Sequence, residues 1–168
     1  MLEVAGTGPH QAAVLRLARQ RGVMERLALR GWQDPADFLG RIDLLLHPSR
    51  AEGGVPYAVM EAMAAGVPVV AARLPPLEEV AEDLRAEAVL QLARPGDVVD
   101  LARAATQCLN DPEGTALRAQ AAAVLARRRF RVEQSVDATR RIYRTAMEQA
   151  AARAAPEEGP MRDDVTLL

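Results

Sequence analysis

The fold of this chain is decided by residues 47–70, which read HPSRAEGGVPYAVMEAMAAGVPVV. An apolar run ends at His47, and a loop with two adjacent glycines follows it. The spacing of the next apolar residues predicts a helix over Pro56–Ala65 that ends at Gly66. A second apolar run, Pro68–Ala72, predicts another strand. A strand, a loop, a helix and a strand in this order predict a βαβ unit of a parallel sheet.

Similar units flank this one on both sides. The predicted strands are Leu2–Ala5, Arg26–Arg30, Ile42–His47, Pro68–Ala72 and a fifth near Ala88–Leu92. The predicted helices are one that stops near Gly22, a short one that Asp34 caps with Pro35 at its first position, Pro56–Ala65, Leu77–Glu82, Val98–Asn110, Glu113–Arg128 and Val132–Arg153. Apolar strands that alternate with helices predict an α/β fold, a Rossmann-like doubly wound parallel sheet with C-terminal helices.

Length and composition limit the kinds of protein to which this chain can belong. The 168 residues are enough for one domain with a hydrophobic core, and 49 % of them are hydrophobic. We expect a single domain over residues 1–153 and a disordered tail over residues 154–168, because Pro156–Leu168 is polar and contains proline and glycine. The formal net charge is -2, so the sequence gives no reason to expect nucleic acid as a partner.

The types of basic residue and the single cysteine exclude lysine chemistry, an intrachain disulfide and a cysteine-based metal cluster. All 21 basic residues are arginines, so no lysine can serve in a site. Cys108 alone cannot form an intrachain disulfide or a cysteine-based metal cluster, and its helical context predicts a small buried side chain. No apolar run approaches the roughly 20 residues that span a bilayer, so we expect a cytoplasmic protein.

The loop and helix start inside residues 47–70 predict an anion site. Gly53 and Gly54 allow the backbone to approach a ligand closely, and Pro56 suits the first helical position. The free N–H groups of the first helical turn and the helix dipole attract negative charge. A diphosphate fits such a site.

Glu61 is the main candidate for binding the ribose of a nucleotide whose diphosphate lies at the helix start. It lies just over one turn into the helix, and helical side chains lean toward the N-terminus. An ionised carboxylate accepts hydrogen bonds, so it suits the two hydroxyls of a ribose. Tyr57 shares this face at i−4, whereas Val59, Met60 and Met63 are predicted to lie in the core. A solvated surface carboxylate is the alternative for Glu61.

These residues resemble the retaining GT-B glycosyltransferases of family 4. The C-terminal domains of that family carry a strand ending in Pro-Ser, an acidic-Gly loop and a helix that reads Glu-Ala-Met-Ala-x-Gly-x-Pro-Val-Val. The resemblance covers about residues 2–148. Further similar segments are Val4–Pro9 (a Gly-x-Gly-Pro strand end), Leu27–Gly31 (the strand before the base-binding loop), Glu79-Val80 (a Glu-Ile-Val segment), and Phe130 and Ile142-Tyr143 (terminal helices that cross back to the other domain).

The resemblance implies a donor-binding domain for a nucleotide-activated hexose, with no metal ion or other cofactor. Glu61 would hold the ribose diol, and Trp32 would lie near the base, with packing under the Asp34 helix as its alternative. Glu52 is the candidate catalytic carboxylate facing the sugar, with solvation in the loop as its alternative. The implied donor-binding residues are Gly6, Trp32, Gln33, Ser49, Gly53, Gly54, Val55, Pro56, Tyr57 and Glu61.

Three departures from the family pattern concern the donor site. The family separates its two glutamates by seven residues, whereas Glu52 and Glu61 are 61 − 52 = 9 positions apart, with eight residues between them. Either the loop bulges by one residue, or the sugar-facing carboxylate is absent and Gly53 takes its place. Pro75-Pro76 stands where the family has Gly-Gly. The family's preceding strand, its Arg/Lys pair for the diphosphate and its acceptor domain would lie before Met1.

The sequence therefore predicts the donor-binding domain of a glycosyltransferase that retains the anomeric configuration, with no activity expected from this chain alone. Three alternatives stay open: a stand-alone nucleotide-binding or regulatory fragment, a GT-B nucleotide-sugar epimerase, and a non-enzymatic flavodoxin-like module, which the Glu-Ala-Met-Ala-x-Gly segment disfavours. The expected partners are the nucleotide-sugar and the acceptor domain.

Other short signals favour structural roles. Gly6 and Gly8 are more typical of a plain strand–helix turn than of a dinucleotide site, because a third glycine at the helix position is missing. His10 and His47 lack cysteine or histidine partners at ligand spacing, so a metal role is disfavoured. The basic cluster 127–131 is typical of a solvated helix end; contact with anionic lipid at the inner face of the membrane, or with a partner domain, is its alternative.

Overall fold

The computed structural model describes residues 1–82 and 89–154. The elements in chain order are β1 (Leu2–Ala5), α1 (Gln11–Gln20), a 3₁₀ turn (Met24–Arg26), β2 (Leu27–Gly31), α2 (Pro35–Leu39), β3 (Leu45–His47), α3 (Tyr57–Ala65), β4 (Val69–Ala72), α4 (Pro75–Glu82), β5 (Gln91–Ala93), α5 (Val98–Asn110), α6 (Pro112–Arg129) and α7 (Val132–Ala154). The predicted alternation of strands and helices is confirmed.

The described strands form two parallel sheets. β1 pairs with β2, from Leu2 opposite Leu27 to Ala5 opposite Gly31. The other sheet has the order β3-β4-β5, and β4 is buried along its whole length. Parallel pairing confirms the predicted class of sheet. The sequence predicts one sheet, whereas the described strands form two that share no ladder hydrogen bonds.

Several predicted boundaries shift. β3 begins at Leu45 rather than Ile42, and β5 spans Gln91–Ala93, one residue beyond the predicted end. The helix after β3 begins at Tyr57, because Pro56 has an extended ψ of 139° and acts as its N-cap. α4 begins at Pro75, where the fixed φ of proline suits a first turn. Ala88, the predicted start of β5, lies outside the described residues.

The core of the larger sheet lies between β4, β5 and α5. Val70, Ala93, Ala104 and Cys108 form a buried cluster, against which Leu44, Leu46 and Leu101 pack. Cys108 is a free, buried cysteine, so the prediction of a small core side chain is confirmed. α3 packs against α6, whose buried face is mostly alanine. This packing fixes the position of α3 and therefore of the loop before it.

The chain divides into two compact units. The first, Met1–Arg129, holds both sheets and the helices α1–α6. The second begins at Phe130, and its described part is mainly α7, with an ion pair between Arg140 and Asp137 at 3.9 Å. The tail expected to be disordered, residues 154–168, lies outside the described residues apart from Ala154, the end of α7. Within the described ranges, no helix combines the length and apolar character needed to cross a membrane.

Candidate functional site

The carboxyl edge of the three-stranded sheet brings three loops together. β3, β4 and β5 run parallel, so residues 48–56, 73–74 and 94–97 all leave the sheet at the same edge. Ligands of open α/β sheets bind beyond this edge. Each of the three loops leads into a helix, α3, α4 or α5, and the N-termini of these helices decide where an anion can bind.

The N-terminus of α3 has unoccupied donors. The N–H groups of Val59 and Met60 both point to the Pro56 carbonyl oxygen at 3.0 Å. Within the described residues, the N–H groups of Tyr57 and Ala58 have no hydrogen-bond acceptor. No acidic side chain lies in this first turn. The positive end of the helix dipole is therefore open to a bound anion.

The other two helix starts at this edge are closed to an anion. α4 begins with Pro75 and Pro76, which have no N–H groups, and the amides of Leu77 and Glu78 donate to the Leu74 carbonyl oxygen at 2.8 and 2.9 Å. The Asp97 carboxylate caps α5 by accepting from the Asp100 amide at 2.9 Å. Of these three helices, only α3 combines free donors with the absence of a capping carboxylate.

Glu52 turns back from the loop to the end of β3. Its Oε1 lies 2.9 Å from Nε2 of His47, and both side chains are largely buried. The backbone bends at Gly53–Val55, directly after Glu52. Hydrogen bonding by Ser49, and then by His47, lowers the pKa of Glu52 below its ordinary value. Glu52 is therefore ionised at neutral pH and acts as an acceptor.

Glu61 and Tyr57 share the exposed face of α3. Both side chains are exposed, and Glu61 makes no hydrogen bond with another described residue. Val59 and Met63 are fully buried, as predicted, whereas Met60 is only half-buried. The Glu61 carboxylate therefore remains available to a ligand on the helix that carries the open N-terminus.

Gly6, Trp32 and Gln33 lie directly after the strands of the smaller sheet. They differ in how far their polar groups and side chains are free to contact a ligand. The Gly6 amide donates to the Gly31 carbonyl oxygen at 2.6 Å. Gln33 donates to the carbonyl oxygens of Arg30 and Trp32 and accepts from Arg41. The Trp32 side chain is 78 % exposed. The alternative of a tryptophan packed under the Asp34 helix is therefore wrong; Phe38 and Leu39 are the buried residues of that helix.

The sequence reasoning missed the roles of two residues in the loop that follows β3. His47 was weighed only as a metal ligand, although its place at a strand end, five residues before a loop glutamate, could have indicated a contact. Arg50 is exposed, and a side chain added at Gly96 would meet its Nε at 3.9 Å. Arg50 therefore extends across the edge toward the loop after β5. Ser49 is one of the residues predicted to bind the nucleotide-sugar. Its hydroxyl donates a hydrogen bond to the Ala51 carbonyl oxygen at 3.0 Å.

Other features lie away from this edge. A cavity of about 340 Å³ opens at the amino ends of β3 and β4, where Leu44, Pro68, Cys108 and Thr115 line it. No group of three or more histidine, cysteine or acidic residues forms a metal site within residues 1–82 and 89–154. The open helix end, Glu52 and Glu61 thus form the polar centre of the candidate site.

A parallel α/β fold with an open helix end beyond its carboxyl edge is typical of nucleotide-binding enzymes. The family Glycosyl transferases group 1 matches residues 1–111, about two thirds of the chain, and the chain belongs to that family. No curated protein matches the sequence.

Several solved structures share the fold. The Anabaena protein HepE in complex with UDP is 27% identical, with a TM-score of 0.69 over 87% of this chain and 40% of that one. HepE in complex with UDP-glucose is 25% identical, with a TM-score of 0.71 over the same shares of the two chains. Sucrose-phosphate synthase from Thermosynechococcus elongatus, 21% identical, has a TM-score of 0.75 over 88% of this chain and 38% of that one. The chain spans about two fifths of the length of these structures.

Proposed function

We propose that this chain binds the nucleotide-sugar donor of a retaining glycosyltransferase, with the donor diphosphate at the N-terminus of α3. The observation that carries the proposal is the pair of free N–H groups of Tyr57 and Ala58 at a helix end that no acidic side chain caps. HepE, at 25–27% identity, is described in complex with UDP and UDP-glucose, which supports a uridine nucleotide as the first ligand to test.

Two carboxylates would contact the rest of the donor. Glu61 is exposed one turn into α3 and accepts hydrogen bonds from the 2′- and 3′-hydroxyls of the ribose. The diphosphate accepts hydrogen bonds from the free N–H groups of the helix. Glu52, at the other end of the loop, accepts a hydroxyl of the transferred sugar. Trp32, exposed at the end of β2, contacts the base.

The chemistry proposed for this site is electrostatic. Sugar transfer leaves a nucleoside diphosphate, and negative charge develops on its leaving oxygen. The free helix N–H groups and the exposed Arg50 guanidinium stabilise that charge without a metal ion. The acceptor is bound by another domain in this proposal, so the isolated chain binds the donor weakly, with a dissociation constant on the order of 1 mM, and transfers no sugar.

A titration of the full chain with UDP tests the proposal. Amide NMR spectra report which backbone N–H groups respond, and the response is expected at Gly53–Val55, Tyr57 and Ala58. Perturbation confined to other regions, such as the cavity at the amino ends of β3 and β4, would contradict the proposal. Detectable sugar transfer by the chain alone would also contradict it.

A pair of variants isolates the helix donor. Tyr57→Pro removes one N–H at the first helical position, where proline is tolerated, whereas Tyr57→Ala keeps it. Tyr57→Pro is expected to bind UDP about 1.5–3 kcal/mol more weakly than Tyr57→Ala, the range of a hydrogen bond to a charged group. Val98→Pro makes the same change at the start of α5 and should leave UDP binding unchanged. Equal affinity of the two Tyr57 variants would contradict the placement.

A further inference from the structure

The His47–Glu52 contact joins the end of β3 to the loop that follows it. His47 is the last residue of β3 and pairs in register with Ala71 of the fully buried β4. Glu52 lies in a loop, directly before the exposed Gly53 and Gly54. Adjacent glycines give the backbone wide conformational freedom, so the Glu52 carboxylate would otherwise occupy many orientations.

The contact restricts Glu52 without using up its acceptor capacity. Nε2 of His47 lies 2.9 Å from Oε1 of Glu52, and the ring is largely buried beside it. The single proton of the Ser49 hydroxyl is shared between the Ala51 carbonyl oxygen, at 3.0 Å, and the Glu52 carboxylate, whose pKa Ser49 and then His47 lower. An ionised carboxylate offers about four acceptor positions, so two neighbours leave room for a ligand hydroxyl.

We propose that His47 is a positioning residue that orients Glu52 to accept a hydroxyl group of the donor sugar. This inference rests on the proposed function, because it assigns a role within the same donor site. A purely structural contact would hold the loop and thereby support every ligand equally. A positioning contact affects the sugar and leaves the nucleotide unaffected, since the diphosphate and ribose bind on α3.

The test compares UDP with UDP-glucose on the full chain and three variants. His47→Leu removes the donor to Glu52 and is expected to weaken UDP-glucose about tenfold, the effect of one hydrogen bond to a charged group, while UDP changes less than twofold. His47→Gln supplies an amide donor and should restore most of the UDP-glucose affinity. His10→Leu replaces the other histidine, whose side chain makes no hydrogen bond with a described residue, and should change neither ligand.

A second measurement reports on the contact without any ligand. A ¹³C NMR titration of the Glu52 carboxyl should show its pKa rising toward the ordinary value in His47→Leu and less so in His47→Gln. Equal weakening of UDP and UDP-glucose by His47→Leu, or an unchanged Glu52 titration, would overturn the positioning role while UDP binding stands. Absence of UDP binding to the unsubstituted chain would overturn the proposed function, and this inference with it.

Discussion

At the residue scale, the candidate site depends on which polar groups already have partners inside the chain. The Gly6 amide and the Gln33 side-chain amide are engaged with neighbouring backbone and side-chain groups. Glu61 and the Tyr57 N–H are not engaged within the described residues. A group that is already hydrogen-bonded inside the chain must give up that bond to contact a ligand, whereas an unpartnered group gives up only its hydrogen bond to water. The strongest ligand contacts are therefore expected on α3.

Trp32 gives a prediction at this scale. Its side chain is 78 % exposed and follows the end of β2, so a bound base can contact the indole ring. Titration with UDP, GDP and ADP should change the tryptophan fluorescence, and the nucleotide that binds most tightly should do so at the lowest concentration. Because Trp32 is the only tryptophan, the signal has one source.

Free N-acetyltryptophanamide, titrated in parallel, controls for absorption by the nucleotide. An unchanged fluorescence at concentrations where calorimetry shows binding would exclude Trp32 from the base contact.

At the scale of elements, the junction of β5 and α5 is held by a buried carboxylate. Asp100 accepts a hydrogen bond from the Arg94 amide at 2.8 Å and pairs with the Arg103 guanidinium. The backbone hydrogen bond from Arg94, followed by that from Arg103, lowers the pKa of Asp100 from 3.8 to about 2. This junction forms one side of the loop toward which Arg50 extends.

The lowered pKa predicts a pH-dependent stability. A carboxyl whose pKa falls on folding stabilises the native state fully above its unfolded pKa, here 3.8, and loses that contribution as the pH drops through about 2. Asp100→Asn should therefore lower the unfolding temperature clearly at pH 6, and the difference from the parent chain should shrink between pH 4 and pH 2.

Thermal unfolding followed by circular dichroism at four pH values measures this effect. Asp37→Asn, an exposed carboxyl in the first turn of α2, is the matched control and should show a small difference. A difference for Asp100→Asn that stays constant down to pH 2 would show that the carboxylate charge is not what stabilises the junction.

Helix boundaries could be predicted where side chains set them. α5 matches its predicted span because Asp97 caps it and its apolar spacing is regular. Asp34 caps α2, with Pro35 at the first position, as predicted. The start of α3 was placed one residue early, because proline suits both the N-cap and the first helical position, and only the extended ψ of Pro56 distinguishes them. β3 was predicted too long because Ile42 and Leu44 are as apolar as the strand itself.

At the scale of the whole molecule, the order of strands and helices could be predicted from the sequence. Which strands pair with which could be predicted only in part. Apolar periodicity identifies strands but does not say which of them pair, so it does not predict the division into two sheets. The His47–Glu52 contact was missed for a similar reason. It depends on the conformation of residues 48–51, an irregular loop for which apolar periodicity makes no prediction.

Glu61 is the residue on which the proposed donor site depends most. Its side chain is exposed and makes no hydrogen bond with another described residue, so its replacement should leave the unliganded fold unchanged. Glu61→Gln keeps the size of the side chain but removes the charge and one acceptor. Glu113→Gln, at another exposed helical glutamate, is the matched control.

The most direct measurement is a calorimetric comparison of UDP with 2′,3′-dideoxy-UDP on the parent chain and on Glu61→Gln. The substitution should weaken UDP binding by about 1.5–3 kcal/mol, the range for hydrogen bonds to a charged group. The dideoxy nucleotide should bind both proteins equally, because it lacks the hydroxyls that Glu61 accepts. Equal weakening of both nucleotides, or unfolding of the unliganded Glu61→Gln chain, would contradict a ribose contact and with it the proposed site.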